Sequence, residues 1–506
     1  MRRVGLLVGL ALVVAGAGGW LWAQGQVSLH PHGDAPVTAG AQDLTDIDAH
    51  NSPVIARNPV DPDNVVVANR IDTPRFGCGL HVSHDGGDTW RHTDVPIPAG
   101  EEPKCFAPDV AFGGDGTLYV AYTTLAGLGN HPNAAWLATS NDGGDSLSQP
   151  TRLLDGLAFQ VRLAADPTAK GRLYLAWLQA ADTATLGFPQ AGYPLRAMRS
   201  DDGGATWTEP VDVNPAARRR VVAPTPVVGR DGRVYVAYLD LGDDRLDYHA
   251  AHQGRGGPAY QGPWQLIVAA SSDQGRSWRQ SVVDDTLTPI NRILAFLPDF
   301  PALAVDRDSG RLYAGFHDAG ASPSDVWVWA SDDHAASWSA PTRVSHGPAA
   351  DATTQHLPQL DVAPTGRLDV VYYDRRRDPD DTLANVSLQS SVDGAATFTE
   401  PVALASEAFD SRIGFGSQRG LADLGSRLGL LATGDRATAV WSDTRAGTQA
   451  SNKQDLYRAT VAVGHADGLA LPTPAARHLP TAALAVAVVG LAVAGGQLVA
   501  IWRDRR

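Results

Sequence analysis

Six copies of one short motif at nearly constant spacing predict an all-β fold, a β-propeller built from four-stranded sheets. The motif reads S-x-D-x-G-x-[ST]-aromatic, and its aspartates are separated by 57, 60, 71, 60 and 60 residues. These are Asp85, Asp142, Asp202, Asp273, Asp333 and Asp393. A repeat of this length suits four short strands with their loops, which form one blade. The short alternating apolar segments between the copies are strand patterns, and helical periodicity is confined to the termini.

Each motif is explained by a reverse turn between two strands, and we call the six segments the repeat turns. Ser and Asp side chains accept hydrogen bonds from backbone N–H groups in such a turn, and Gly tolerates positive φ. The final aromatic residue begins the next strand and packs between blades. Ala335 and Ala395 replace the glycine in the last two copies, and Leu147 replaces the aromatic residue in the second. We therefore expect the six aspartates to be structural, with strain or a different turn at the two alanines.

The repeat turns resemble the Asp box of the sialidase superfamily, also called the bacterial neuraminidase repeat, and the resemblance covers residues 51–463. It implies the propeller fold more specifically than it implies a reaction. Related boxes occur in sialidases, other glycosidases, sorting receptors and assembly factors, so the function must be argued from a site.

The number of blades follows from apolar hairpins that precede the repeat turns. Seven such hairpins start near Val54, Pro108, Leu163, Val227, Ala302, Leu360 and Leu428. The seventh unit, residues 438–441 and 455–459, ends before a fourth strand, and residues 27–47 could supply that strand from the other terminus. We therefore predict seven blades. The alternative is six, the number in sialidases, with one hairpin as an appendage.

The two ends of the chain have the composition of export and membrane segments. Residues 1–25 read as a signal peptide or an uncleaved N-terminal anchor. The propeller is assigned to 26–463 and a Pro/Ala/Gly-rich tether to 464–480. Residues 481–502 are apolar and long enough for a transmembrane helix, and 503–506 form a basic tail. The positive-inside tendency places that tail in the cytoplasm and the propeller on the extracytoplasmic side of the cell membrane.

The net charge excludes some classes of partner, and the two cysteines indicate a disulfide. A formal net charge of −14 argues against nucleic acid or an anionic membrane surface as a partner. The resemblance implies a glycan or cell-envelope ligand, and we predict a monomer that meets the membrane through its C-terminal helix. The two cysteines, Cys78 and Cys105, are predicted to form a disulfide, because both fall on the face opposite the repeat turns. No cofactor or metal is predicted. The alternative is calcium held by one of two acidic loops, Asp243, Asp244 and Asp247 or Asp378, Asp380 and Asp381.

The predicted ligand face is the one opposite the repeat turns. Loops from second to third strands and from fourth to first strands meet there around the central channel. The candidates for ligand binding at this face are Asp72, Arg162, Gln359, Asp374 and Asp443. The alternative is that the recurring Asp–Arg pairs only tie down their own loops.

The resemblance to sialidases implies a specific chemistry at that face. Those enzymes bind the sugar carboxylate with three arginines, and use a Glu-activated Tyr as nucleophile and an Asp as acid/base. The matching candidates are the arginines Arg70, Arg375 and Arg445, the nucleophile Tyr373 and the acid/base Asp109. The family's F-R-I-P motif is only echoed by residues 70–72, and Glu407 is the downstream candidate for the partner of Tyr373.

Two functions follow from these observations. The preferred one is an exported, membrane-tethered propeller that binds a glycan or envelope ligand on the face opposite the repeat turns. The alternative is an exo-α-sialidase or a related exo-glycosidase that removes terminal sugars.

Overall fold

The computed structural model describes residues 27–181, 192–244, 261–290, 299–320, 323–345, 352–414 and 424–465. Thirty strands and no helix occur in this part of the chain, and the strands form seven antiparallel sheets. The protein is therefore a seven-bladed β-propeller, which confirms the preferred count over six. Within the same ranges no helix is long and apolar enough to cross a bilayer. The predicted signal or anchor, transmembrane helix and basic tail, with nearly all of the tether, lie outside the described residues.

The strands follow one another blade by blade. The chain begins with β1 (Val27–Pro31) and β2 (Ala35–Pro36). Blade one contains β3 (His50–Arg57), β4 (Val65–Ile71), β5 (Gly77–Ser83) and β6 (Arg91–His92). Blade two contains β7 (Cys105–Phe112), β8 (Leu118–Ala126), β9 (His131–Ser140) and β10 (Thr151–Asp155). Blade three contains β11 (Ala158–Ala165), β12 (Leu173–Gln179), β13 (Leu195–Ser200) and β14 (Val211–Asp212).

The remaining blades repeat this order. Blade four contains β15 (Val221–Val228), β16 (Val234–Asp240), β17 (Trp264–Ser271) and β18 (Arg279–Leu287). Blade five contains β19 (Ala302–Val305), β20 (Leu312–Asp318), β21 (Asp325–Ser331) and β22 (Thr342–Arg343). Blade six contains β23 (Gln355–Val362), β24 (Leu368–Asp374), β25 (Leu383–Ser391), β26 (Val402–Ala403) and the short β27 (Phe409–Asp410). Blade seven contains β28 (Gly429–Ala432), β29 (Arg436–Asp443) and β30 (Asp455–His465).

The N-terminal segment completes blade seven, as predicted. β1 pairs antiparallel with β30, with Pro31 opposite Val461, and β2 pairs with the same strand. Farther along, the buried Lys453 ammonium donates to the carbonyl oxygens of Gly40 (2.8 Å) and Asp43 (2.6 Å). The ring is therefore closed by main-chain hydrogen bonds between the two ends of the propeller.

The core lies between neighbouring blades, because each sheet packs both faces against others. Strand β4 is apolar and buried along most of its length, and Val66 and Leu80 of blade one pack with Val110 and Val120 of blade two. Burial on both faces explains why the second strands read as nearly continuous apolar runs rather than as alternating ones. This packing fixes the first strand of every blade around the channel.

The repeat turns share one hydrogen-bond network. In blade one, Asp85 Oδ1 accepts from the Thr89 N–H (2.9 Å), and Ser83 Oγ accepts from the Gly87 N–H (2.8 Å). The other five turns repeat both bonds. Ala335 and Ala395 keep the left-handed backbone, with φ of 60° and 68°, so the turn is unchanged and the alanines adopt it. All six aspartates are thus engaged within their own turns.

Candidate ligand site at the channel mouth

A repeated bulge shapes the channel rim opposite the repeat turns. The pairing register shifts near the start of five first strands. The bulged residues with positive φ are Ser52, Ala107, Gln160, Ala223 and Leu357. A non-glycine residue in this conformation costs about 1–2 kcal/mol, and such strain and such bulges concentrate at functional sites. Among the described residues, the rim therefore has an unusual backbone in five blades.

Asp109 joins two blades at this rim. Its Oδ2 accepts from Arg162 Nε (2.7 Å) and from the Leu163 N–H (2.9 Å), both on blade three. Oδ1 accepts from the Val110 N–H at 3.2 Å. Only 1% of Asp109 is exposed, so these groups replace the water that the carboxylate loses on burial. The structure thus brings together two of the predicted candidates, Asp109 and Arg162.

A second guanidinium, that of Arg427 just before β28, faces the same carboxylate. Arg427 Nη2 donates to the Pro108 carbonyl oxygen (3.3 Å), whereas Nη1 lies 3.9 Å from Asp109 Oδ1, too far for a hydrogen bond. The side chain is 5% exposed, and its Nε and Nη1 have no hydrogen-bond acceptor in the described part of the chain. One carboxylate therefore lies between two cations, the partly buried Arg162 and the buried Arg427, which leaves an excess of positive charge.

Phe300 lies between these two cations. The Cζ atoms of Arg162 and Arg427 are 5.1 Å and 5.7 Å from its ring centroid, within the range of cation–π attraction. The Phe300 N–H donates to the Ser426 carbonyl oxygen (3.2 Å), which couples blade five to blade seven. The cluster of Asp109, Arg162, Phe300 and Arg427 is called the arginine cluster below.

The arginine cluster is electrostatically unbalanced. The pKa of Arg427 is lowered to about 9: burial is the largest cause, the charges of Arg162 and, less strongly, Arg70 also lower it, and Asp109 opposes them. This pKa is still above neutrality, so Arg427 remains a cation. An anionic ligand would supply the negative charge that the protein itself does not supply.

Arg70 stands beside the cluster and is paired with a carboxylate. Its Nε lies 2.8 Å from Asp72 Oδ1, its Nη2 donates to Asp72 Oδ2 (2.8 Å), and its Cζ is 5.2 Å from the Phe106 ring centroid. Asp72 also accepts from Asn51 Nδ2 (2.8 Å). The predicted candidates Arg70 and Asp72 therefore form a neutral pair next to the charged cluster.

A disulfide supports this part of the rim. Cys78 in β5 and Cys105 at the start of β7 are bonded, as predicted, with their Cα atoms 5.4 Å apart. The bond links blade one to blade two immediately before Phe106, whose ring meets Phe76 edge to face at 5.5 Å. It thus restrains the segment that leads to Asp109.

The other two predicted arginines are held in their own loops. Arg375 Nη1 donates to the Asp381 carbonyl oxygen (2.6 Å), and its Nη2 donates to Ser411 Oγ (2.5 Å). Arg445 forms a two-bond pair with Asp443 (3.0 and 2.7 Å), and its Nη2 also donates to Asp34. The structure therefore does not bring these arginines together with Arg70, and the predicted grouping of three is not formed.

Tyr373 is inaccessible. It is fully buried, its hydroxyl donates to the Ser442 carbonyl oxygen (3.0 Å) and accepts from the Ser442 N–H (3.1 Å), and burial raises its pKa far above the ordinary value. Glu407 is not its partner, since the Glu407 carboxylate lies 3.9 Å from Arg445 Nη1. The Tyr–Glu arrangement that the resemblance implied is absent at these residues.

The last two candidates differ in setting. Asp374 is buried and pairs with Arg376 (2.6 Å) and Ser387 Oγ (2.6 Å), so it ties the end of its own strand. Gln359 is half-buried on β23, opposite Val371 in the sheet. Neither contacts the arginine cluster through any hydrogen bond of the described residues.

In the described ranges, the aspartates of the acidic loops accept hydrogen bonds from backbone N–H groups. No group of three or more His, Cys, Asp or Glu side chains there is arranged to hold a metal ion. Asp378 Oδ2 accepts from the N–H groups of Thr382 (2.8 Å) and Leu383 (2.6 Å), and Asp381 accepts from Thr354. Asp247 lies outside the described residues. Calcium binding stays a prediction.

No family model and no curated protein matches the chain. Similar solved structures include a Dyadobacter fermentans protein of unknown function, with 15% identity over 86% of this chain and 99% of that one, at a TM-score of 0.49. A phage phi92 endosialidase has 11% identity over 89% and 71% of the two chains, at 0.47. A Hadza microbial sialidase has 14% identity over 79% and 74%, at 0.44.

Proposed function

We propose that this protein binds an acidic sugar of a glycan at the channel mouth, through Arg427 and Arg162. The observation that carries the proposal is the sharing of Asp109 by the partly buried Arg162 and the buried Arg427, the second of which keeps two unbonded nitrogen atoms among the described residues. A carboxylate matches a guanidinium through two parallel charge-assisted bonds. Phe300 adds an apolar ring against which the C–H face of a sugar can pack.

The proposal is binding without hydrolysis. A tyrosine nucleophile needs a free hydroxyl that can lose its proton, and Tyr373 has neither property, because its hydroxyl is bonded to Ser442 both as donor and as acceptor and burial raises its pKa. Asp109 accepts from blade three through Oδ2 and from the Val110 N–H through Oδ1, so it positions Arg162 and is not free to transfer a proton. We therefore expect no hydrolysis of the bound sugar, and the experiment below tests for it.

The test is calorimetric titration of the purified full-length chain in mild detergent with N-acetylneuraminic acid, glucuronic acid and neutral N-acetylglucosamine. We expect the acidic sugars to bind and the neutral one not to. Arg427→Met should weaken acidic-sugar binding by about 10- to 100-fold, the worth of a charge-assisted pair. Arg196→Met, which removes an arginine paired with Asp212 on the outer strands, should leave binding unchanged.

Two results would contradict the proposal. One is acidic-sugar binding that is no tighter than binding of the neutral sugar. The other is hydrolysis of a fluorogenic sialoside by the wild-type chain that Arg427→Met abolishes, since that result would make the site an exo-glycosidase.

We also propose that the propeller is exported and tethered by residues 481–502. The apolar length and the arginines that follow support this proposal. The full chain should stay with membranes after carbonate extraction, and a chain ending at residue 480 should be released. Release of both chains would contradict the tether.

A further inference from the structure

The strained bulge position of the rim has an equivalent in all seven blades. Each bulged residue lies five positions before the last paired residue of its first strand, as Gln160 does before Ala165. The same count in blades five and seven gives Phe300 and Arg427. We call these seven residues, one from each blade, the mouth ring. Phe300 and Arg427 meet at the channel because they occupy the same position in the repeat.

Hydrogen bonds join neighbouring blades at the level of the mouth ring. Gln160 Oε1 accepts from the N–H of Ala223, the member that blade four contributes (2.8 Å). Ser52 Oγ, in blade one, accepts from the N–H of Ser426 (3.0 Å), the residue before Arg427. The mouth ring is therefore one connected level of the channel.

Gln160 keeps a hydrogen-bond donor unused. The residue is half-buried, and its Oε1 is held by the Ala223 N–H. Its Nε2 is buried and has no hydrogen-bond acceptor in the described part of the chain. Within the mouth ring, Gln160 and Arg427 are the two members that carry such unbonded side-chain nitrogen atoms. A buried donor without an acceptor is unfavourable and rare in folded proteins, so this one calls for an explanation.

The turn itself does not require this side chain. Gln160 has φ of 52°, in the left-handed region that non-glycine residues adopt at a cost. Blades two and four form the same bulge with Ala107 and Ala223. Because alanine is sufficient at this position, the long amide side chain of blade three is not explained by the backbone alone.

Gln160 lies beside the arginine cluster. Arg162 follows two residues later on β11, so the Cα atoms of the two residues are at most about 7 Å apart. The Arg162 Cζ is 5.1 Å from the Phe300 ring centroid, and the Arg427 Cζ is 5.7 Å from the same centroid. A monosaccharide whose carboxylate meets Arg427 can therefore bring an uncharged oxygen to Gln160.

We propose that Gln160 is a specificity-determining ligand residue of the channel mouth. The proposal rests on the proposed function: Arg427 binds the carboxylate of an acidic sugar, and Gln160 Nε2 donates to an uncharged oxygen of the same sugar. That oxygen is an acyl carbonyl or a hydroxyl, since both accept hydrogen bonds from an amide. The site thus prefers a sugar acid that offers both groups to a carboxylate that offers no second acceptor.

The test is calorimetry of the full-length chain in mild detergent with three acids. N-acetylneuraminic acid has an acyl carbonyl, 2-keto-3-deoxynononic acid has a hydroxyl in place of the acetamido group, and cyclohexanecarboxylate has a carboxylate on a ring without other oxygens. Gln160→Met should weaken binding of N-acetylneuraminic acid about 3- to 10-fold, the worth of an uncharged hydrogen bond. It should leave binding of cyclohexanecarboxylate unchanged. An equal loss for both sugar acids assigns the acceptor to a hydroxyl, and a loss for the first alone assigns it to the acyl carbonyl.

Gln274→Met is the matched control. Gln274 also has positive φ (63°), and its Oε1 accepts from Arg199 Nη1 of the neighbouring blade (2.8 Å), but it lies in a repeat turn on the opposite face. Its replacement should change none of the three affinities. If Gln160→Met weakens all three acids equally, Gln160 only shapes the site and the proposal is wrong. Unchanged binding of both sugar acids would also overturn it.

Two further variants keep the result interpretable. Gln160→Glu covers the case in which Gln160→Met does not fold, because a carboxylate keeps an acceptor for the Ala223 N–H. Glutamate offers no donor, so sugar-acid binding should fall, and wild-type affinity would contradict the proposal. Loss of binding in Arg427→Met but not in the Gln160 variants would contradict the role of Gln160 alone. No binding of any acid by the wild type would contradict the proposed function and this role with it.

Discussion

At the scale of single residues, Asp109 matters most for the stability of the described channel mouth. Its carboxylate neutralises Arg162 directly and Arg427 at longer range. A buried ion pair adds little stability beyond an apolar replacement, but removal of one partner leaves the other charge buried and uncompensated. The stability of the rim therefore depends on negative charge at this one position.

Asp109→Asn tests this dependence. We expect it to lower the free energy of unfolding by about 3–5 kcal/mol, since the buried Arg427 and the partly buried Arg162 lose their counter-charge. A saturating acidic sugar should raise the melting temperature more in the variant than in the wild type, because it replaces the missing charge. Thermal denaturation with and without N-acetylneuraminic acid measures both effects, and equal shifts in the two proteins would contradict the charge argument.

The repeat-turn aspartates predict acid sensitivity. Hydrogen bonds from the Thr206 hydroxyl and N–H hold the pKa of Asp202 at about 2, below its unfolded value near 4. A carboxyl with a depressed folded pKa stabilises the fold above the unfolded pKa, and this stabilisation is lost as the pH falls towards 2. Chemical denaturation at pH 2 to 5 should show that loss. The slope should be smaller in Asp202→Asn, and identical slopes would refute the assignment.

At the scale of elements, much of the fold is predictable from the sequence. Seven hairpins and the turn spacing define seven blades, because apolar strands and Asp/Gly turns are local signals. The bulges are not predictable in this way, since a register shift depends on pairing between strands. Sequence analysis did not identify Arg427, because blade seven has no repeat turn and no local motif marks its rim.

The predicted candidates Asp374, Asp443 and Arg445 illustrate the converse error. Residues i and i+2 of an extended chain point to the same side, so an Asp and an Arg at this spacing pair with each other. Asp443 with Arg445 and Asp374 with Arg376 do so. Such pairs look like ligand sites in the sequence but satisfy one another in the structure.

Removal of the disulfide tests how the two strands that it joins depend on each other. The bond between Cys78 and Cys105 closes a segment with a sequence separation of 27 residues, and its loss should cost about 3 kcal/mol. Because β7 leads from Cys105 to Asp109, the Cys78→Ser/Cys105→Ser variant should also bind acidic sugars more weakly. Melting and calorimetry with and without a reductant provide the measurement. A reductant should affect only the wild type, and a variant as stable as the wild type would contradict the expected role.

At the scale of the whole molecule, the ring depends on its closure. The outer strand of blade seven comes from the opposite end of the propeller, and Thr38 and Lys453 add side-chain bonds to that junction. A propeller opened at one seam exposes the faces of two blades that are otherwise packed.

Deletion of residues 1–36 tests the closure. It removes β1 and β2, leaves β30 as an unpaired edge, and should lower the melting temperature and broaden the transition. Deletion of residues 1–25, which leaves both strands in place, is the control and should melt like the full chain. Equal melting of the two deletions would show that the closing strands contribute nothing.

We propose that the rim opposite the repeat turns binds acidic sugars through a buried, under-neutralised arginine. A crystal structure of the full chain grown with N-acetylneuraminic acid tests this claim most directly. We predict a sugar carboxylate oxygen within about 3 Å of Arg427 Nε or Nη1, with the ring of the sugar near Phe300. A sugar bound only on the repeat-turn face, or an empty channel mouth at saturating sugar, would contradict it.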